Sequence, residues 1–459
     1  MCYNSIGMKK HIIQAFVFVV ITSTIFGNRL FAQKISKDFN LQLKELIADH
    51  QLKFPNLTKK VYTDRENHLL WFDNEKKLVW KAQSLLYNSG QNGLNPNEFH
   101  CDKITTGLLS DLLLIKGSNE YKTTADILLT DGLINFIYQI HYGKANPNFP
   151  LKKLDNEPYS GLKADNILLQ AIKKENFEEE IFKVQPNFES YKQLQQYLKL
   201  MVGQYTGDCY ESSEETEKLM AVNLERWRWF NSVETPYLLV NIPSFEVQYR
   251  NGSEKKIFNA IVGSPKTPTP LIISTVKTIK TSPEWDIHES FIIEEILLEA
   301  VKKPAYIYQN HFIIYNDNEK VFEPTINNLK LIQKDVSKYH IIKKAGYKKQ
   351  NSIVLNIDNK NKISIQNSPV KGLFKNTDKA LSKGSIIIEN PDSLIDLLLK
   401  QDNQSARTTN EKGRKLMTLK HPIPIFIGYF TCVVRDGILN TYKDIYHYDE
   451  DLKINLGLK

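Results

Sequence analysis

The dominant hydrophobic period of this chain changes after about residue 202, and that change sets what it can fold into. Up to about residue 202 apolar residues recur at helical spacing. One stripe joins Leu78, Val79, Ala82, Leu85 and Leu86, with Gly90 and Gly93 suited to a stop. A second joins Ala125, Leu128, Leu129, Phe136, Ile137 and Ile140 and ends at Gly143. A third aligns Tyr191, Leu194, Leu198 and Met201. After the polar stretch 203–218 the runs become short and strand-like, at 237–242, 245–249, 257–262, 272–279, 363–365, 385–388, 423–434 and 438–442. Asn251-Gly252 predicts a tight hairpin turn between two of them, and Asp436-Gly437 separates the last pair. A helix with Ser290 as N-cap, carrying Ile292, Ile293, Ile296, Leu297 and Val301 and closed by Pro304, interrupts the β region. A further helix is entered through Asn390-Pro391-Asp392. Helices first and strands later predict an α+β, multidomain protein.

The 459 residues exceed one ordinary core, and at roughly 150 residues per domain they predict two or three domains. The formal charge of +8 comes from lysines spread along the chain. No basic stripe interleaved with aromatics, zinc spacing or helix-turn-helix signature is present, which argues against nucleic acid as a partner. At the N-terminus Lys9-Lys10 precede an apolar run from Ile12 to Phe26, with a small-residue cleavage site after Ala32. The run is shorter than the ~20 residues of a membrane span. Residues 1–32 are therefore expected to be a removable signal peptide, with an uncleaved anchor as the alternative and the only route to a membrane. Export to the periplasm or cell envelope follows. Cys2, Cys101, Cys209 and Cys432 form no metal pattern, and neither a metal nor another cofactor is expected. Cys101 and Cys209 are candidates for a disulfide in an oxidising compartment, and Cys432, in an apolar run, for a buried structural role.

A series of short segments, in order, resembles the large murein L,D-transpeptidases that carry a scaffold domain. They include Asn223-Leu224-Glu225-Arg226-Trp227-Arg228-Trp229, Val262-Gly263-Ser264-Pro265, Thr267-Pro268-Thr269-Pro270 and Ser282-Pro283-Glu284-Trp285. Ser368-Pro369, Ser382-Lys383-Gly384-Ser385, Glu389-Asn390-Pro391, Asp436-Gly437 and Asp444-Ile445-Tyr446 continue it. The N-terminal half is similar less specifically, at Leu70-Trp71-Phe72, Gly93-Leu94-Asn95-Pro96, Leu129-Thr130-Asp131 and Tyr142-Gly143-Lys144. The resemblance implies a helical scaffold domain over 33–202 and a linker over 203–220. It also implies a β-rich L,D-transpeptidase-like domain over 221–459 with an inserted capping subdomain at about 286–346. Residues 203–220 are too few for the peptidoglycan-binding module that many such enzymes carry at this point.

The family reaction is acyl transfer between peptidoglycan stem peptides. It needs a cysteine thiolate, a histidine to take its proton and donors for the oxyanion. The family pattern Ser-His-Gly-Cys-Ile-Arg falls on Ser382, Lys383, Gly384, Ser385, Ile386 and Ile387. Ser385 thus stands for the cysteine, Lys383 for the motif histidine and Ile387 for the arginine. The upstream His-Asp-Thr-Pro falls on Gln366, Asn367, Ser368 and Pro369, so Gln366 stands for the base. No cysteine lies between Cys209 and Cys432, and no histidine between His340 and His421. Trp285, Asn367, Ser368 and Ser382 are the candidate substrate-binding residues, although a tryptophan is more often a core anchor.

Two readings of the site stay open. In the first, the protein is catalytically inactive and binds peptidoglycan stem peptides or a wall-synthesis protein, acting in cell-wall biogenesis and cell shape. In the second, Ser385 and Lys383, two apart and on one face of a strand, run a serine-based L,D-transpeptidase or carboxypeptidase with a buried, neutral lysine as base. A third reading is a structural envelope protein.

Overall fold

The computed structural model describes residues 39–72, 76–114, 119–156, 161–202, 213–230, 235–282, 284–287, 290–316, 321–344, 352–360, 363–402, 407–411 and 414–458. The expected signal, residues 1–32, and Cys209 lie outside them. The chain divides into two compact units. One comprises residues up to 186, 195–229 and 455–459; the other comprises 187–194 and 230–454. The architecture is α+β, helical first and β-rich afterwards.

In the first unit the second sequence stripe becomes the helix Asn119–Tyr142, buried on every side from residue 125 to 140. Such a helix cannot face solvent with its polar residues, so each must find a partner inside. Asp126 accepts bonds from the backbone N–H groups of Leu70, Trp71 and Phe72 and from the Tyr62 hydroxyl. One turn on, Asp131 accepts from the N–H groups of Lys53 and Phe54 and from Thr58 Oγ1, and lies 2.7 Å from His100 Nε2. The central helix therefore pins the approaches to its neighbours by their backbone donors. Gly143, at φ +84°, ends it where a Cβ would meet the Glu225 carboxylate 2.4 Å away.

The first stripe forms Lys76–Tyr87 and passes into a 3-10 turn ended by Gly93 at φ +68°. The third forms Glu189–Val202. The helix Glu214–Arg228 begins inside the segment expected as a linker. Ser213 Oγ accepts from Thr216 N, and three glutamates in the first turn and Arg226 and Arg228 in the last match the helix dipole. The polar composition that suggests a linker is thus the capping signal of a helix. Cys101 is buried, which pushes its thiol up to about 12; Cys432 is buried too.

Among the described residues the second unit carries sixteen strands: β1 Tyr237–Asn241, β2 Glu246–Asn251, β3 Glu254–Gly263, β4 Ile272–Ser282, β5 Glu284–Ile287, β6 Phe312–Asn316, β7 Val321–Phe322, β8 Tyr339–Lys344, β9 Ser352–Ile357, β10 Ser364–Gln366, β11 Ala380–Ser382, β12 Ile386–Ile388, β13 Arg407–Glu411, β14 Arg414–Gly428, β15 Cys432–Arg435 and β16 Ile438–Thr441. The main sheet runs β1-β2-β3-β12-β10-β9-β4-β14-β13, and β1 also pairs with β14 in parallel, closing the path on itself. Its interior is lined by Leu238, Val240, Val262, Leu355, Ile365, Ile386, Ile388 and Ile425. Closure removes most of the exposed strand edge.

Between β4 and β9 the chain leaves the main sheet to build β5-β8-β6-β7, covered by the helices Ser290–Lys302, Ala305–Gln309 and Ile326–Lys334. Ser290 is the first residue of its helix, whose buried side carries Ile292, Ile293, Ile296 and Leu297. Pro304 ends that helix but caps the next one at once, since proline is tolerated at a helix start. The hairpin turn at Asn251-Gly252 is displaced by one residue: Asn251 still pairs with Glu254, leaving Gly252 and Ser253 as the turn. At the other hairpin Asp436 and Gly437 both take positive φ, as a type I′ turn requires. Asn390 sits at φ +50° and Pro391 occupies the cap without a side-chain bond, so the helix is entered through Pro391 with Asp392 as its first residue.

Candidate functional site

The motif segment leaves β11 at Ser382, bends through Lys383 and Gly384 and re-enters the sheet as β12 at Ile386. Gly384 lies at φ +104°, a conformation costly for any L side chain, which accounts for glycine there. Lys383 and Ser385 are therefore not on a strand, and the expected shared face does not form. Lys383 is exposed rather than buried, standing in the bend between β11 and β12, each of which pairs with β3; Ser385 is half-buried.

A hydrogen-bond network fixes this bend. Ser382 Oγ donates to the Ser385 carbonyl and accepts from Gly384 N. The Ser382 carbonyl accepts from Ser264 N at 2.9 Å and Thr267 Oγ1 at 3.0 Å. Thr269 Oγ1 donates to the Gly384 carbonyl and accepts from Gly263 N, at 2.9 and 2.8 Å. Tyr446 OH donates to the Gly263 carbonyl and accepts from Thr269 N, and the Tyr446 N–H donates to Tyr429 OH. Burial holds the Tyr446 hydroxyl above the usual phenol range, so it stays a donor. Ser382, expected to bind substrate, is fully buried and occupied in holding the loop. Thr267, Thr269 and Tyr446 were visible as resembling segments, but spacing gave no sign that they meet around residue 384.

The upstream segment arrives on β10. Gln366 pairs with Ile387 across parallel strands, and Ile387 pairs with Ile261 of β3. Ile365 and Ile386 turn to the sheet interior, whereas Ile387 and Ile261 belong to the hydrophobic cluster that also holds Trp285, Ile293, Ile296 and Leu373. Alternation along a strand places Gln366 on that same face. The structure thus brings together the positions matched to the family's base and arginine, beside Ser385. Ile387 is wholly buried, and Gln366 is half-buried.

Trp285, Asn367 and Ser368 are buried. Trp285 Nε1 donates to Asn367 Oδ1 at 3.1 Å, and that oxygen also accepts from Ile353 N at 2.9 Å. Ser368 Oγ accepts from Val370 N. Trp285 is thus a core anchor that joins β5 to the residue after β10. Lys343 lies 5.6 Å from the Trp285 ring, and burial holds its ammonium below the usual range. His288 lies outside the described residues. Histidines flanking the site in sequence are engaged elsewhere: His340 stacks on Tyr315 at 5.3 Å, and His421 Nδ1 is 3.2 Å from Asp402. Among the described residues no group of three or more His, Cys, Asp or Glu side chains is placed to hold a metal, and no helix is long and apolar enough to cross a membrane.

Two family models match the chain: a scaffold domain over residues 56–198 and the YkuD L,D-transpeptidase catalytic domain over 235–405. The chain belongs to the scaffold-containing L,D-transpeptidase family. It is also 24% identical over 425 residues, 90% of this chain and 82% of the relative, to a Haemophilus influenzae protein whose name assigns it provisionally to the L,D-transpeptidases. The catalytic-domain match spans β1 to β12 and so includes the bend at Gly384 and the Gln366–Ile387 pair.

Proposed function

We propose that this L,D-transpeptidase family member is an exported envelope protein that binds peptidoglycan through its stem peptides and does not turn them over. In this reading residues 1–32 direct export, 33–202 form the scaffold and about 286–346 cap the site face. The observation that carries it is the row Ile261, Ile387, Gln366 beside Ser385. An amide cannot take a thiol or hydroxyl proton, and an isoleucine offers no charge to a substrate carboxylate or oxyanion. Ser385 without a base has its ordinary, weak nucleophilicity.

The serine-enzyme alternative needs Lys383 desolvated so that its ammonium loses its proton. Its exposure argues against that. The test is incubation of the chain lacking residues 1–32, and its Ser385→Ala variant, with tetrapeptide-stem muropeptides, alongside retention on sacculi. No turnover and retention by both proteins is the expected result. Turnover that disappears in the variant would establish the serine enzyme instead, and absence of both turnover and retention would favour a structural role.

A further inference from the structure

The scaffold unit contains a cavity of about 580 Å³, within the size range of small-molecule sites. It opens beside the Tyr142-Gly143-Lys144 segment, one of those that resemble the family yet have no part in the site on the β unit. Its lining is mixed: Phe54, Pro150 and Leu151 supply apolar surface, and three cations, Lys53, Lys144 and Lys152, stand against a single carboxylate, Glu98. Lys144 Nζ lies 3.0 Å and Lys53 Nζ 3.4 Å from the Glu98 carboxylate. Partial burial would raise Glu98, but the two ammoniums outweigh it and hold its carboxyl below the usual range. Three cations against one anion leave an excess of positive charge, and among the described residues no ion pair engages Lys152.

The rim is built rather than loose. Ala145 N donates to Glu225 Oε1 at 2.7 Å, Asn146 Nδ2 donates to the Tyr142 carbonyl, and Asn146 Oδ1 accepts from Asn148 N and Phe149 N. A concave site whose lining joins apolar side chains to an excess of positive charge suits a short, carboxylate-bearing chain. A bare inorganic anion would leave most of the volume and the apolar side chains unused.

We propose that this cavity is a second binding site, taking the carboxylate-bearing stem peptide of peptidoglycan with its anionic end at Lys144 and Lys152 and its body against Phe54 and Leu151. The proposal rests on the wall-binding reading above. It places wall contact on the scaffold unit, whereas on the β unit the sheet face is filled by Ile387 and the Trp285 cluster.

The test is titration calorimetry of the chain lacking residues 1–32 with a soluble tetrapeptide stem, and separately with inorganic phosphate, plus sacculus retention. Lys144→Gln and Lys152→Gln are each expected to weaken stem binding about tenfold, the scale of one lost charged contact. Lys153→Gln, on the next residue and outside the lining, is expected to change it less than twofold. Lys152 is exposed, so its variant keeps the fold, which circular dichroism checks. Equal losses at Lys152 and Lys153, no loss at Lys144 or Lys152, or binding of phosphate without binding of the stem would each overturn the site. Sacculus retention unchanged in both lining variants, with stem binding intact, removes this site alone. Wild-type protein that binds neither stem nor sacculus removes the wall-binding reading itself.

Discussion

Gln366 and Ile387 face each other as register partners on parallel strands β10 and β12, and Ile387 follows Ser385 by two residues. These are the positions where the family resemblance places a base and a cation. Restoring the nucleophile alone is therefore insufficient. Ser385→Cys is expected to give no cross-linking or tripeptide release from tetrapeptide muropeptides, and its thiol should alkylate with a midpoint near the ordinary cysteine value of about 8.5. Mass spectrometry of the muropeptides and the pH profile of iodoacetamide labelling check this. Turnover by the single variant, or a thiol reacting fully at pH 6, would contradict it.

Ile387 lies between Ile261 and Gln366 in the sheet and packs into the Trp285 cluster with no exposure. Ile387→Arg, which restores the family side chain, buries a charge without a partner and should destabilise by on the order of 3 kcal/mol or more, against about 1 for Ile387→Val. Thermal unfolding of both variants measures the difference. An arginine variant as stable as wild type would show that the site face can open to water, and would weaken the view that it is filled.

Thr269 Oγ1 satisfies Gly263 N and the Gly384 carbonyl together. Thr269→Val keeps the shape and strands both groups, so a cost of about 2–4 kcal/mol is expected. Because those bonds fix the bend, the peptide carrying 382–385 should exchange its amides faster even where the global stability loss is corrected for. Exchange unchanged at 382–385 would show that the bend is held by its sheet pairings alone.

Much of this fold is legible in the sequence, since burial imposes its period. The stripe at 125–140 marks the central scaffold helix, and glycines at 93 and 143 mark stops that need positive φ. Other features depend on contacts distant in sequence. The strands β6, β8 and β9 are short apolar runs set in a polar stretch rich in lysine and asparagine, and their local pattern does not show that β9 joins the main sheet while β6 and β8 build a separate one. The segment 213–220 reads as a linker because its glutamates serve a helix start, and composition cannot distinguish the two. At the site, the substitutions at 366, 383, 385 and 387 are plain in the sequence. Their consequence is not: the pairing of Gln366 with Ile387 exists only once β10 and β12 are brought together, and the Trp285–Asn367 bond only once β5 meets the end of β10.

Asp126 makes the scaffold's stability depend on pH. Burial is the largest influence on it and pushes its carboxyl up from 3.8 to about 6, against the opposing bonds from Tyr62, Leu70, Trp71 and Phe72. The folded state then holds a proton over a range where the unfolded chain has released it. Stability from this group is fully present below about pH 4 and is lost as pH rises through about 6, with a total size of about 3 kcal/mol. Amide protection factors of the segment containing Leu70, Trp71 and Phe72 should therefore be higher at pH 5 than at pH 7.5. In Asp126→Asn the amide cannot accept at both positions, so protection falls at every pH while its pH dependence flattens. The difference between wild type and variant isolates Asp126 from other titrating groups. A wild-type profile that rises from pH 5 to 7.5 relative to the variant would mean that the four donors, rather than burial, set the charge of Asp126.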